Sequence, residues 1–267
     1  MVFSCGESTR KTLRRPTGSL HSVHAEENPA PRNQGLNPMT AAPGGCKIRS
    51  TGARGVGNPK GTGQRLMKIA FHGAAREVTG SCHRIETGAG SLLLDCGLIQ
   101  GGPERHERNR RPFRFGLQEL NAVILSHAHI DHAGRLPLLV KSGYEGPIYA
   151  TEPTAELCRI MLADSGRIQE EDARWKIKRL KKQGKDASWV KPLYTEDDAL
   201  RALHQIYPVD FHREQEIDGL GTVVYHLAGH ILGAGVVELR LRDGAEERHI
   251  LFSGDLGVEG ARLLGPP

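Results

Sequence analysis

The stretch Ala122-Val123-Ile124-Leu125-Ser126-His127-Ala128-His129-Ile130-Asp131-His132-Ala133-Gly134 decides how the rest of this sequence is read. Its apolar, β-branched beginning reads as a strand that ends at Ser126. Four potential ligands follow within six residues, before Gly134 and a helix-like stretch. By residue frequencies alone, H-x-H-x-D-H arises in ~0.1% of shuffled chains of this composition. A polar loop with coincidental histidines is therefore a poor account of it. A turn after a strand can send His127 and His129 to one metal ion while Asp131 and His132 point to a second. Four donors so close cannot all serve one tetrahedral ion without strain, so the spacing points to a binuclear site. Imidazole with carboxylate suits Zn²⁺, with Mn²⁺ or Fe as alternatives.

Two later segments repeat the grammar of strand end, ligand and glycine. His226-Leu227-Ala228-Gly229-His230-Ile231-Leu232-Gly233 sets a histidine just beyond an expected strand, 222–228. Phe252-Ser253-Gly254-Asp255-Leu256-Gly257 sets an aspartate beyond another, 249–253. A lone His or Gly-Asp is more often structural, but beside the first motif both read as ligands.

Working outward, apolar runs bounded by Gly and Pro predict further strands at 68–72, 82–86, 91–95, 122–126, 147–150 and 235–241. Thr87-Gly88-Ala89-Gly90 reads as a hairpin turn. Thr151 and Thr195, each followed by acidic residues, read as N-caps of two helices. Strands come first in hairpins and then alternate with helices, which predicts an α/β layered sheet covered by helices and not a simple doubly wound sheet.

Residues 1–66 differ from the rest. They hold ten Gly, six Pro, eleven Ser/Thr and one aromatic, Phe3, with no periodicity at 2 or 3.6 residues. Such composition cannot assemble a core, so a disordered N-terminal tail is expected, with Met67 as a possible true start. The 267-residue chain is 38% hydrophobic and 25% charged, with a formal net charge of +5. That excess belongs to the tail, which carries ten Lys/Arg against three Asp/Glu, whereas residues 67–267 carry 26 against 28. The basic balance alone thus says nothing about a nucleic-acid surface on the folded part. No apolar run approaches the roughly 18 residues of a membrane span, and no secretory h-region opens the chain. Five cysteines without C-x-x-C pairing fit a reducing cytoplasm.

The order Leu94-Asp95, H-x-H-x-D-H, Gly229-His230 and Ser253-Gly254-Asp255 resembles the metallo-β-lactamase fold. Gly73-Ala74-Ala75-Arg76-Glu77-Val78-Thr79-Gly80-Ser81, Ala228–Ala234 and Phe252–Gly257 are similar to one branch, the β-CASP ribonucleases. The resemblance covers about residues 67–265. It implies the N-terminal portion of an αββα sandwich over 67–267, incomplete at its C-terminus. It also implies a zinc-dependent phosphodiesterase that cleaves single-stranded RNA by a metal-activated hydroxide. Carried over, His127, His129 and His230 would hold the first metal, and Asp131 and His132 the second. Asp255 would bridge the two, and Asp95 would orient the ligand loop by hydrogen bonding. In the family a further histidine and a cap domain follow Asp255, so this chain is expected to be weakly active or inactive alone. A truncated sheet also exposes apolar surface, so a homo-oligomer is expected. The alternatives are a hydrolase of a thioester or lactone on the same fold, and a non-catalytic partner subunit in RNA processing.

Weaker signals remain. Residues 174–191 carry eight Lys/Arg, with Trp175 and Trp189 interleaved. They read as a solvated helix face whose tryptophans pack inward, in preference to an RNA-contacting edge. Arg105, Arg108, Arg110, Arg111 and Arg114 fall in an expected loop. Ser188–Lys191 matches S-x-x-K by chance. His72 and His83 are expected to lie on strands near the site without being ligands.

Overall fold

The computed structural model describes residues 67–259, Leu264 and the backbone of Phe3–Glu7. The tail expected over 1–66, and the start at Met67, otherwise lie outside the described residues. Phe3–Glu7 departs from that expectation: it forms β1 and pairs antiparallel with the last strand, Phe3 opposite Phe252.

The first sheet begins as an antiparallel meander of β2 (Lys68–Phe71), β3 (His83–Glu86) and β4 (Ser91–Leu94). The expected hairpin turn joins β3 to β4, closed by the Thr87 N–H on the Gly90 carbonyl at 2.8 Å. Helix α1 (Arg105–Arg110) and a 3-10 turn (Leu117–Glu119) follow, and β5 (Leu120–Ile124) then adds parallel to β4. After α2 (Ile130–Ala133) and α3 (Leu136–Lys141), β6 (Ile148–Thr151) adds parallel to β5. The long α4 (Glu152–Lys182) and α5 (Glu196–Leu203) lead to β7 (Ile206–Val209), which completes the order β2-β3-β4-β5-β6-β7. The second sheet is antiparallel, in the order β1-β11-β10-β9-β8, from β8 (Gln215–Ile217), β9 (Gly221–Leu227), β10 (Gly235–Asp243) and β11 (Glu246–Phe252).

Both faces of the first sheet are covered, which explains the unbroken Leu92-Leu93-Leu94 run. Leu92, Leu94, Ala122 and Ile124 face Val223, Tyr225, Leu239 and Phe252 of the second sheet. Leu93, Val123 and Leu125 face Leu139 of α3, Cys158 and Leu162 of α4, and Leu203 of α5. The outer face of the second sheet alternates to Glu238, Arg240 and His226, held together by ion pairs. Among the described residues no helix covers that face, so three of the four layers of an αββα sandwich are seen. No described helix is long and apolar enough to cross a membrane.

Helix starts follow the expected caps. Thr195 and Asp198 form a capping box, with Asp198 N–H on Thr195 Oγ1 at 3.1 Å and Thr195 N–H on Asp198 Oδ2 at 3.0 Å. Thr151 caps α4.

Three expectations are corrected. Trp175 and Trp189 do not pack inward: they are 62% and 60% exposed, under Arg179 and Lys176 respectively. Cation–π contact with these long side chains replaces burial. Residues Arg105–Arg110 are helical and not a loop. Two strands, β7 and β8, went unanticipated because one contains Pro208 and the other has three residues; both stand at sheet edges, where a proline and a short strand are tolerated. Ser188 of the S-x-x-K match bonds Asp186 with its N–H and hydroxyl, as a turn residue does.

Candidate metal centre

Strand ends from both sheets converge on one rim of the sandwich. Asp95 follows β4, His127 and His129 follow β5, His230 lies between β9 and β10, and Asp255 follows β11. Backbone hydrogen bonds tie these loops together: Asp95 N–H to Ile124 O at 3.0 Å, Cys96 N–H to His132 O at 2.8 Å, and Gly235 N–H to Ser126 O at 3.0 Å. Gly97 lies so close to α2 that a Cβ there would overlap the Asp131 carbonyl. Thr151 and Thr154 hydroxyls both donate to the Gly233 carbonyl, at 2.6 and 2.9 Å, which pins the His230 loop to the start of α4.

Four predicted ligands meet. Donor atoms of His127, His129, His230 and Asp255 all lie within 4.8 Å of one another. His129 Nδ1 is 3.0 Å from His127 Nε2 and 3.1 Å from His230 Nε2. Asp255 Oδ2 is 3.5 Å from His230 Nε2 and 3.9 Å from His127 Nε2. Metal–ligand bonds of about 2.0–2.1 Å in a tetrahedron give edges of roughly 3.3 Å. Three imidazole nitrogens and a carboxylate oxygen at these separations fit one zinc-sized cation.

Behind the ligands sits a buried carboxylate. Asp95 holds a positive φ of 57°, which aims its side chain at the ligand loop. Its Oδ1 accepts from Ser126 N–H at 2.8 Å, and its Oδ2 accepts from Ser81 Oγ at 2.9 Å, Ser126 Oγ at 3.0 Å and His132 Nδ1 at 2.7 Å. The single Ser126 hydroxyl proton goes to the carboxylate, so Ser126 Oγ accepts from His127 Nδ1–H at 3.0 Å. The His127 tautomer is thereby set, with a bare Nε2 aimed at His129 and Asp255.

Electrostatics agree with that assignment. Burial first, and the neighbouring His132, His129 and His230, push His127 down to about 3, so it is a neutral ligand at neutral pH. Burial would raise Asp95, but the charge and hydrogen bond of His132, with His127 and the Ser126 amide, outweigh it and hold the carboxyl below its ordinary value. Burial would lower His132, but Asp95, Asp255 and Asp131 reverse this and raise it. Its Nε2 faces Asp255 Oδ1 at 3.5 Å, a pairing that requires a proton or a cation between them.

Of the predicted set, His127, His129, His230 and Asp255 form the compact group, and His132 joins through Asp255. Asp131, at the start of α2, lies outside the four-residue group. His83 is buried on β3 with its Nε2 3.4 Å from Ser81 Oγ, and desolvation lowers it to about 4. His72 lies just past β2, outside the four-residue group, and lines a cavity beside Phe115. Sequence reading missed Ser81 and Ser126. Their only signal was adjacency, Ser126 directly before His127 and Ser81 at the end of the Gly73–Ser81 motif.

A family model described as the metallo-beta-lactamase superfamily matches residues 75–267. Ribonuclease TTHA0252 of Thermus thermophilus is 36% identical over 201 residues, 75% of this chain and 40% of that protein. Transcription termination factor FttA of Methanocaldococcus jannaschii is 31% identical over 204 residues, 76% of this chain and 29% of that protein. Integrator complex subunit 11 of Danio rerio is 29% identical over 206 residues, 74% and 31% of the two chains. The chain thus spans less than half the length of these relatives. Among solved structures, BJP-1, a subclass B3 metallo-beta-lactamase of Bradyrhizobium japonicum, aligns with a TM-score of 0.41 and 19% identity over 74% of this chain and 64% of its own.

Proposed function

The chain belongs to the metallo-beta-lactamase superfamily, and on that premise we propose that it carries the metal centre of a zinc-dependent phosphodiesterase acting on single-stranded RNA. The observation that carries this reading is the convergence of His127, His129, His230 and Asp255 on a common point at the sandwich rim. His127, His129 and His230 would hold one ion, Asp131 and His132 a second, and Asp255 both. Zinc bound there supplies Lewis acidity and an activated water for hydrolysis.

The chain's own residues do the positioning. Asp95 fixes the His132 tautomer and frees its Nε2, while Ser126 does the same for His127. The two threonine hydroxyls on Gly233 keep the His230 loop in register with α4. Side-chain exposure of Asp255, 46%, opens the centre to the surface, which suits a polymer strand better than an enclosed small-molecule pocket does. A ribonuclease among the relatives favours the same substrate class. Buried free thiols at Cys82, Cys96 and Cys158 are in keeping with a reducing cytoplasmic setting.

The test is incubation of the chain and Zn²⁺ with end-labelled single-stranded RNA. Expected is weak cleavage, in keeping with a chain that spans only part of its relatives, that a chelator abolishes and that His230→Ala removes. Intact RNA, with hydrolysis of a thioester or lactone instead, overturns the nuclease reading.

A further inference from the structure

On the helical side of the first sheet, the end of β2, the segment 99–115 that contains α1, and the start of α3 enclose a cavity of about 220 Å³. Arg108, Arg111, Arg114 and Arg135 line it, together with His72, and no carboxylate does. Two of these cations are committed elsewhere, Arg108 to Glu77 and Arg111 to Glu107. Among the described residues, Arg114 and Arg135 pair with no carboxylate.

Arg135 is the unusual one. It is only 7% exposed, its Nε has no partner, and among the described residues the sole hydrogen bond of its side chain is a long one, 3.4 Å, to the Arg111 carbonyl. Its guanidinium lies over the Phe113 ring at 4.5 Å, which fixes the plane of the fork. A guanidinium buried without a counter-charge is costly and is retained where something supplies the charge. His72 adds a second unsatisfied group: its Nε2 is buried without a partner, and its ring meets Phe115 edge-on at 4.8 Å. Burial first, then Arg84, Arg114 and Arg135 against Glu86, push the His72 imidazole below its ordinary value.

We infer that this cavity is a binding site for a phosphate group, held by the forks of Arg135 and Arg114 with His72 as a further donor. A planar guanidinium matches phosphate oxygens bidentately, and a pre-oriented one loses little freedom in doing so. The volume falls below the roughly 300–1,000 Å³ of pockets for drug-sized ligands. It therefore accepts inorganic phosphate or the phosphate end of a nucleotide, with Phe113 and Phe115 as an apolar wall. The site is separate from the metal centre, although the Arg135 N–H bonds Cys96 O at 2.7 Å, on the same backbone frame that places Asp95 and His132.

Isothermal titration of the zinc-loaded full chain with inorganic phosphate, and separately with adenosine 5′-monophosphate, tests this. Arg114→Ala, at an exposed position, is expected to weaken binding by about tenfold or more, and Arg135→Met to abolish it. His230→Ala, which breaks the metal group, is expected to leave the affinity unchanged. Tighter binding of the nucleotide assigns the site to a phosphate terminus, tighter binding of inorganic phosphate to the free anion, and both results uphold it. No heat with either probe overturns the proposal. So does equal affinity in Arg114→Ala and wild type, or loss with His230→Ala while Arg114→Ala still binds.

Discussion

His132 Nδ1 lies 2.7 Å from Asp95 Oδ2, joining residues 37 apart in sequence, and this bond leaves His132 Nε2 facing Asp255. The carboxylate touches no open side of the centre, since it is fully buried. Its influence on a metal runs entirely through the imidazole and through Ser126. Asp95→Asn keeps the shape but loses the charge that makes His132 a stronger donor. Metal affinity is expected to fall about 10–100-fold with all ligands still in place. Competition against a chromophoric chelator measures this, and an unchanged affinity would show Asp95 to be a folding residue alone.

Gly97 offers a separate test of the frame. A side chain there would strike the Asp131 carbonyl, which is backbone and cannot swing away. Gly97→Ala is expected to cost about 3 kcal/mol or more in urea unfolding, through forced displacement of α2. Gly184→Ala serves as the contrast. It has a positive φ of 67° but no atom near a Cβ, so its cost is expected to stay at the backbone penalty of about 1 kcal/mol.

These two features mark where the sequence was and was not legible. Each ligand could be read because it follows an apolar strand and precedes a glycine, a local pattern. The Asp95 network could not, because it depends on a left-handed residue at the end of β4 and on partners 14 and 31 residues away. Strands buried on both faces, such as β4 and β5, announced themselves as apolar runs. Edge strand β7 did not, because Pro208 reads as a breaker until its place at the sheet margin is known. Arg135 carried no signal in the sequence, and only the fold sets its guanidinium over the Phe113 ring.

Acid sensitivity should appear at the start of α5. Burial would raise the Asp198 carboxyl, but Lys141 at 2.7 Å and the Thr195 amide and hydroxyl outweigh it and hold it below its ordinary value of 3.8. A carboxyl depressed in the folded state stabilises the fold above its unfolded pKa and loses that contribution as pH falls through the folded one. Asp198→Ala is therefore expected to cost roughly 1 kcal/mol at pH 7, in line with loss of a helix cap. The gap from wild type should close as pH drops below about 4. Urea unfolding of both proteins across that range measures it, and a gap independent of pH would assign the effect to packing.

Metal removal makes the last prediction. His129 Nδ1 stands within 3.1 Å of two other imidazole nitrogens. The bare Nε2 of His127 points at it, held so by Ser126. Without a cation, lone pairs crowd one point, and binding of a cation to the folded chain alone stabilises it by mass action. At a free metal concentration about 100 times Kd the gain is about 2.7 kcal/mol. For a domain of this size that is roughly 5–10 °C in Tm. His129→Ala should abolish the shift while leaving the melting temperature of the metal-free protein nearly unchanged, because it removes a crowded ligand and no core contact. A metal-dependent shift that survives His129→Ala would place the stabilising ion elsewhere, and a metal-free His129→Ala that melts well below wild type would make His129 part of the core.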